Sequence, residues 1–393
     1  ENFQAFQQKQ RVTGRYAPLT LNDLAPFIEV VHHRCAAGAY ERAFAALWRY
    51  LAQGNRWVLM HVLGAYETTI AVVSDFFPNG NWDCDPHLKT GEAQSTMLGV
   101  GGLCHMNLGL GQEAVTLFTR SIALSLQLGD YYSTSRDELN LSDLYANLGN
   151  LTACVEAARR ALALANKERM PAERQEMELS AQASLARALH LVGDTQGASA
   201  AFTHAEAIER GKYQAYGIKT LISIRGIRHA DHVLHMGSPV YAQTINETNA
   251  RMCKDEGWID QLSQCERIAG DIAAAKRMIA DARRHYSRAV DLARKVDKRD
   301  VWIGALLGRG RWYAKHMHNA SAAFNDLNEA LSYAVSGEYR IFEVDIHSAL
   351  AWAHLANNDK TQAHIEAERA KTASTRMGYY WGQVDADEVL AKL

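Results

Sequence analysis

The stretch Gly149–Leu164, GNLTACVEAARRALAL, decides the fold. Its glycine is followed at five, nine and twelve positions by small residues, namely Cys154, Ala158 and Ala161. Steps of four and three residues keep these side chains on one face of an α-helix. Small side chains there let a second helix approach closely, and glycine favours the left-handed backbone that ends a preceding helix. The stretch therefore predicts the turn and second helix of a helical hairpin.

The same pattern recurs along the chain, which is typical of a repeat protein. Each copy begins with Gly or Asn at a turn, places a small residue five positions later, and follows an amphipathic helix. The turns at Gly109, Gly149 and Gly193 lie 40 and 44 residues apart. We expect seven or eight hairpins and a closing helix from Tyr380 to Leu393. The further copies are Gly38–Tyr50, Gly109–Leu124, Gly193–Ile208 and Asn358–Ala373.

Proline is scarce, which favours an all-helical chain. Only 6 of 393 residues are proline, and four of these lie before residue 90. Proline interrupts helices, so a proline-poor chain rich in Ala and Leu predicts helix after helix. The expected fold class is all-α: a right-handed superhelical solenoid of helical hairpins with a C-terminal capping helix. Residues 1–20 are expected to be an irregular lead-in from a preceding segment, and residues 21–393 a single array.

Composition excludes several classes of function. Lys and Arg number 42 against 44 Asp and Glu, a net charge of −2, so we expect no nucleic-acid partner. No apolar run approaches the ~18 residues that a membrane helix needs, so no membrane partner is expected either. The six cysteines form no CxxC pair, which favours reduced thiols in a cytoplasmic protein.

The hairpins resemble those of the tetratricopeptide (TPR) family. That family's consensus places small residues at the turn and on the second helix, as at Gly149, Cys154, Ala158 and Ala161. The resemblance implies a concave groove, lined by the first helix of each hairpin, that binds proteins or peptides.

A closer resemblance covers nearly the whole chain. LGAYETTIAVVSDFFPNGNW (Leu63–Trp82), LSDLYANLGNLTACVEAARRALALA (Leu141–Ala165) and ARALHLVGDTQGASAAFTHAEAIE (Ala186–Glu209) are similar to the C-terminal arrays of bacterial STAND-type signalling ATPases. The resemblance implies a sensor that relieves autoinhibition when a protein or peptide ligand binds, for example in defence. It also implies an N-terminal NTPase domain of NACHT or NB-ARC type in a longer chain. The sequence has no GxxxxGK loop followed by Ser or Thr, so nucleotide binding is not expected here.

Two other binding functions stay open. The chain is alternatively a stand-alone TPR scaffold that joins protein partners, or the effector-sensing array of a transcription activator. The second alternative predicts a helix-turn-helix downstream, which the residues up to Leu393 do not contain.

Catalytic and metal chemistry is not expected. No Ser/His/Asp or Cys/His arrangement and no paired carboxylates stand out, so we expect no enzyme, no catalytic residue and no cofactor. His229, His232 and His235 recur every third residue. Because a helix has 3.6 residues per turn, only adjacent pairs of these histidines can share a metal easily. A partly buried polar face is the expected interpretation.

Counting residues back from each turn predicts which positions of the first helices line the groove. Four of the nine positions are arginine, which favours a groove that holds an acidic or carboxylate-bearing partner through bidentate hydrogen bonds. The alternative is a solvated helix face with ordinary surface charges. The nine expected ligand-binding residues are Arg136, Asp143, Asn147, Arg187, Arg225, His229, Arg309, Trp312 and His316.

Overall fold

The structure of the protein is a computed structural model that describes residues 20–54, 57–213, 217–296 and 298–393. The chain divides into two compact units, one ending at Met97 and one running from Leu98 to Leu393. The boundary falls within helix α4 (Gly91–Asn107). The expectation of a single array over residues 21–393 stays a prediction, and the expected lead-in lies almost wholly outside the described residues.

The described part of the first unit contains three complete α-helices and two π-helical segments. Thr20 begins α1 through a capping box: its backbone N–H and its hydroxyl both donate to the Asp23 carboxylate. A 3-10 turn follows, and Phe76 and Phe77 beside it are fully buried. The elements are α1 (Leu21–Ala36), α2 (Tyr40–Ala46), the π-helices Leu47–Ala52 and Val58–Val62, α3 (Tyr66–Ser74) and the 3-10 turn Pro78–Gly80.

The second unit is a row of long helices joined by short turns. The helices after α4 are α5 (Gly111–Gln127), α6 (Tyr131–Asn147), α7 (Leu151–Ala165), α8 (Pro171–Leu191), α9 (Thr195–Lys212), α10 (Ser223–His235), α11 (Pro239–Glu256), α12 (Ile259–Ala275), α13 (Ile279–Ala293), α14 (Arg299–Met317), α15 (Ala320–Ser336), α16 (Arg340–Ala356), α17 (Lys360–Met377) and α18 (Tyr380–Leu390).

Consecutive helices of this unit pack in pairs, as the repeat pattern predicts. α6 packs on α7, α8 on α9, and the pairing continues to α16 on α17. In α7 the small residues Cys154, Ala158 and Ala161 are buried against the partner helix. Gly149 adopts φ +74° at the turn, the left-handed conformation expected there. The deciding stretch is therefore the turn and second helix of a hairpin.

The last hairpins pack on early hairpins of the same unit. One apolar cluster joins Ala146 of α6 and Leu151 of α7 with Val344 of α16, Ala370 of α17 and Ala386 of α18. α18 corresponds to the expected closing helix and ends three residues before the predicted limit. The row of hairpins thus turns back on itself within this unit.

The predicted fold class is confirmed: the described residues form an all-α hairpin solenoid without a strand, ending in a capping helix. No disulfide joins the six cysteines, all of which lie in the described residues, and Cys84 is the one that is not buried. Among the described residues, no helix has both the length and the apolarity needed to cross a membrane.

Candidate binding surface

The first helices of the hairpins form a continuous inner layer in the second unit. α6 packs on α8, α8 on α10, and the series continues through α12, α14 and α16 to α18. α16 also contacts α6, which closes the layer. Charged side chains on these helices contact one another from one helix to the next. We call the charged set there the inner charge band; its members are Asp143, Arg187, Arg228, Asp231, Arg267, Asp271, Arg311, Asp345 and Asp385.

Asp143 of α6 joins two arginines from two further helices. Its Oδ1 accepts from Nη1 of Arg187 at 2.9 Å, and its Oδ2 accepts from Nη2 of Arg228 at 2.7 Å. Burial by itself raises the pKa of Asp143, but the two guanidinium groups outweigh burial and lower it. This carboxylate is therefore ionised and ties α6, α8 and α10 together.

Arg267 of α12 continues the band. Its Nη1 donates to Asp271 Oδ2 at 2.8 Å, and its Nη2 lies 3.5 Å from Asp231 Oδ1. The hydroxyl of Tyr286 donates to the other Asp271 oxygen at 2.7 Å. Burial opposes ionisation of Asp231, yet nearby His235 and Arg267 lower its pKa to about 2. The Asp231 carboxylate, in the middle of the band, is therefore ionised.

Arg311 of α14 faces two carboxylates at the far end of the band. Its Nη1 lies 3.8 Å from Asp385 Oδ2, and the Tyr379 hydroxyl donates to Asp345 Oδ2 at 3.4 Å. Burial raises the pKa of Asp345 to about 7; Arg311 opposes that rise and the negative charge of Asp385 adds to it. Oδ1 of Asp345 is buried without a hydrogen-bond partner. An unpaired acceptor in such a place is able to accept a hydrogen bond from a ligand.

The band is accessible to solvent as well as internally paired. The side chains of Arg267 and Asp271 are each 26% exposed, and those of Arg311 and Asp385 are 36% and 35% exposed. A row of partly exposed donors and acceptors on rigid helices can hydrogen-bond the polar groups of an extended polypeptide.

Of the nine expected groove residues, the structure places Asp143 and Arg187 together in the band. Three others lie near the surface. Arg136 of α6 is exposed and lies 3.7 Å from the neighbouring Asp137 carboxylate. Asn147 is half-buried at the end of α6, and His316 is exposed near the end of α14.

Two expected groove residues of α10 pack between helices instead. Arg225 donates to Glu209 Oε1 at 2.9 Å and lies 3.4 Å from Glu176 Oε1. His229 is buried and stacks on the Phe202 ring, with ring centres 4.8 Å apart.

Two expected groove residues of α14 also hold the fold together. Arg309 forms a bidentate pair with buried Asp326 at 2.7 and 2.8 Å. Trp312 is 1% exposed and packs near Tyr286, so its expected place in the groove is corrected to the core. The arginines of the predicted groove therefore face carboxylates of the chain itself, and the inner surface has mixed charge.

Most residues of the inner charge band were not predicted from the sequence, because positions were counted back from the turn residues by unequal numbers of residues. At four turns the signal is an offset of six residues before the turn residue, whereas the same offset before His318 gives the core residue Trp312. It places Asp143 before Gly149, Arg187 before Gly193, Asp231 before Gly237, and Asp271 before Arg277.

Sequence reasoning did not bring together three residues whose side chains are able to ligate a metal ion. His190, Asp231 and His235 bring one potential ligand atom each to within 4.8 Å of one another. The periodicity argument compared only histidines of α10, whereas His190 comes from α8.

No protein-family model matches the chain, and no curated protein matches its sequence. Solved structures do match. A Rap protein in complex with competence and sporulation factor has a TM-score of 0.61 and 13% identity, covering 91% of this chain and 98% of that one. The Rap conjugation gene regulator of plasmid pLS20, in complex with a Phr peptide, has a TM-score of 0.56 and 10% identity, covering 90% and 95%.

A STAND protein with a tetratricopeptide repeat sensor from Pyrococcus horikoshii has a TM-score of 0.46 and 15% identity. It covers 95% of this chain and 62% of that one. That TM-score is too low to support an inference. The two Rap matches show that this chain has a TPR-like hairpin fold.

Proposed function

We propose that the chain is a protein- or peptide-binding array that holds an extended polypeptide segment along the inner charge band. The observation that carries the proposal is the row of fixed, partly exposed charges on successive first helices, from Asp143 to Asp385. The two Rap structures of similar fold are complexes with a factor and with a peptide. That is a property of those proteins, and it supports a binding role here by analogy of fold alone.

The chemistry of the band specifies the kind of ligand. Asp143 is already paired with two arginines, so a purely acidic partner would have to displace an existing ion pair and overcome its desolvation. Arg311 is paired more loosely, at 3.8 Å, and is next to the unpaired oxygen of Asp345. A segment that carries both a carboxylate for Arg311 and a donor for Asp345 satisfies both groups. The ligand is therefore a polypeptide of mixed charge rather than an acidic one.

In this proposal the array is the sensor of a STAND-type signalling ATPase in the cytoplasm, preceded by an NTPase domain. The support is the sequence resemblance of the segments from Leu63 to Glu209. Ligand binding relieves autoinhibition only if the open state binds the ligand more tightly than the closed state. A stand-alone scaffold and a transcription-activator array are the alternatives. Ligand-dependent ATP hydrolysis by a longer chain that includes an upstream NTPase domain separates the sensor from both.

Peptide selection tests the binding proposal. Peptides selected from a random library on the full chain are measured by fluorescence anisotropy against Arg311→Gln and Asp271→Asn variants. The matched control is Lys371→Gln on the second helix α17, which removes an exposed ion pair with Asp387. We expect each band variant to weaken binding by about tenfold, the effect of one lost charge-assisted hydrogen bond. Equal affinities for the band variants and the control would contradict the proposal.

A further inference from the structure

Three potential metal ligands converge where α8 and α10 lie side by side. Asp231 and His235 are four residues apart on α10 and therefore share one face of that helix. His190 reaches them from the C-terminal end of α8. One ligand atom of each residue lies within 4.8 Å of the others. We propose that His190, Asp231 and His235 form a binding site for a divalent transition-metal ion, with Zn²⁺ as the best fit.

The hydrogen bonds around His235 suit a metal ligand. Its Nδ1 lies 2.8 Å from the backbone carbonyl oxygen of Asp231, so Nδ1 carries the proton and donates it. This contact is the usual means of fixing the tautomer and orientation of a metal-ligating histidine. The lone pair on Nε2 is then available. The His235 side chain is 34% exposed, so an ion can reach the site from solvent.

His190 is held by a buried network that tolerates metal binding. Its Nδ1 lies 3.1 Å from Nδ1 of His232, whose Nε2 lies 2.9 Å from the Ser199 hydroxyl. In the structure Trp381 Nε1 also lies 3.1 Å from His190 Nδ1, which accepts from it. With a metal on His190 Nε2, Nδ1 is protonated, gives up this indole contact and donates to His232, and His232 donates to Ser199. Trp381 Nε1 then donates to the His190 carbonyl oxygen, which lies 3.0 Å away. Every polar group of the network keeps a partner.

Asp231 can supply the anionic ligand without leaving Arg267 unpaired. Its Oδ1 lies 3.5 Å from Arg267, but Arg267 also pairs with Asp271 at 2.8 Å. Coordination of a metal by Asp231 therefore leaves Arg267 neutralised. The site would bring together a carboxylate and two neutral imidazoles, a favourable charge balance for a divalent cation.

The ligand set selects the class of metal. Two imidazole nitrogens and one carboxylate oxygen suit Zn²⁺, Co²⁺ and Ni²⁺, whereas Mg²⁺ and Ca²⁺ require oxygen ligands almost exclusively. Three protein ligands leave a coordination position open on the solvent side, next to the inner charge band. An ion there would join α8 to α10 beneath Trp381, whose ring centre lies 4.7 Å from that of His235.

The test uses the full chain without a polyhistidine tag, treated with a chelator and dialysed. Zn²⁺ is titrated by calorimetry, and Co²⁺ is added as a spectroscopic probe of the coordination number. The key variant is His235→Ala, because this exposed residue ends α10 and its loss does not threaten folding. The matched control is His204→Ala, which removes another exposed histidine that has a carboxylate partner, Glu178, at 2.9 Å.

We expect one equivalent of Zn²⁺ to bind and to raise the melting temperature of the chain and of His204→Ala. In His235→Ala the affinity falls at least about tenfold while circular dichroism stays unchanged. The proposal is overturned if Zn²⁺ does not bind, or if His235→Ala binds it as the wild type does. Equal losses in both variants, or equal affinity for Mg²⁺, also overturn it. Because no peptide takes part, failure here is independent of the proposed binding function.

Discussion

The indole Nε1 of Trp381 donates to the backbone carbonyl oxygen of His190 at 3.0 Å. The contact joins α18, the last helix, to α8, and it spans 191 residues of sequence. It closes the inner layer of first helices on itself. We therefore expect this contact to contribute to the stability of the whole second unit.

Replacing Trp381 with Ala should reduce the free energy of unfolding by about 3 kcal/mol, because a large, half-buried ring and its hydrogen bond are both lost. Urea denaturation measures the change. The control, Tyr333→Ala on α15, removes a ring that is already exposed and should change stability by no more than about 0.5 kcal/mol. Similar losses of unfolding free energy in the two variants would mean that the contact between Trp381 and His190 adds no stability beyond that of an exposed ring.

Two glycines at turns allow a matched test of the contact between α18 and the end of α8. Gly193 and Gly237 both adopt positive φ, +85° and +76°. A Cβ added at Gly193 would lie 2.6 Å from the Tyr380 ring, whereas one at Gly237 meets nothing within 4 Å. Gly237→Ala should therefore cost only the backbone strain, about 1–2 kcal/mol, and Gly193→Ala more.

Thermal denaturation in a Tyr380→Gly background completes that comparison, because the Cβ of Tyr380 would also lie only 2.8 Å from the added methyl group. Without the ring and that Cβ, Gly193→Ala should cost no more than Gly237→Ala. If the excess cost persists in that background, Tyr380 does not lie against the turn as described.

The raised pKa of Asp345 predicts that the stability of the fold depends on pH. Its pKa rises from 3.8 when unfolded to about 7 when folded, mainly because of burial. The folded state therefore binds the proton more tightly, and the contribution of Asp345 to stability falls as the pH rises from about 4 to about 7. Asp345→Asn, which mimics the protonated side chain, should melt a few degrees above wild type at pH 8 and close to wild type at pH 4.

Differential scanning calorimetry at both pH values makes this comparison. Asp387→Asn, on the exposed side of α18, serves as the control and should follow the wild type at both. A wild-type advantage over Asp345→Asn that grows with pH would contradict the assigned direction.

Variants of Arg309 distinguish a structural role from the ligand-binding role that the sequence predicts. Asp326, its bidentate partner, is 2% exposed. Arg309→Leu leaves that carboxylate buried without its cation and should cost about 3–5 kcal/mol. The double variant with Asp326→Asn should recover much of the loss. Unchanged stability in urea, together with loss of affinity for a selected peptide, would restore Arg309 to the ligand-binding surface.

The hairpins could be predicted from sequence because their signals are local. The turn at Gly149 and the small face at Cys154, Ala158 and Ala161 lie within 13 residues, and helical periodicity alone relates them. The charge band was predicted only in part. Asp143 and Arg187 were identified because both precede glycine turns of recognised repeat copies. Asp231 precedes Gly237, a turn outside those copies, and Asp271 precedes Arg277, a non-glycine residue with φ +59°.

The remaining errors come from long-range packing. Trp312 lies on a first helix, yet it packs near Tyr286 of the adjacent hairpin and not in the groove. The pairing of His190 with residues of α10 depends on the stacking of neighbouring hairpins. Periodicity within one helix contains no information on which of its faces a later helix will cover.

Hydrogen–deuterium exchange of the full chain with and without a saturating selected peptide tests the central claim most directly. The account predicts that the peptide slows exchange in first helices that carry the band, at α12, α14 and α16, and leaves the second helix α17 unchanged. Protection confined to α17 or to other second helices, with no change in α12, α14 and α16, would contradict binding along the inner charge band.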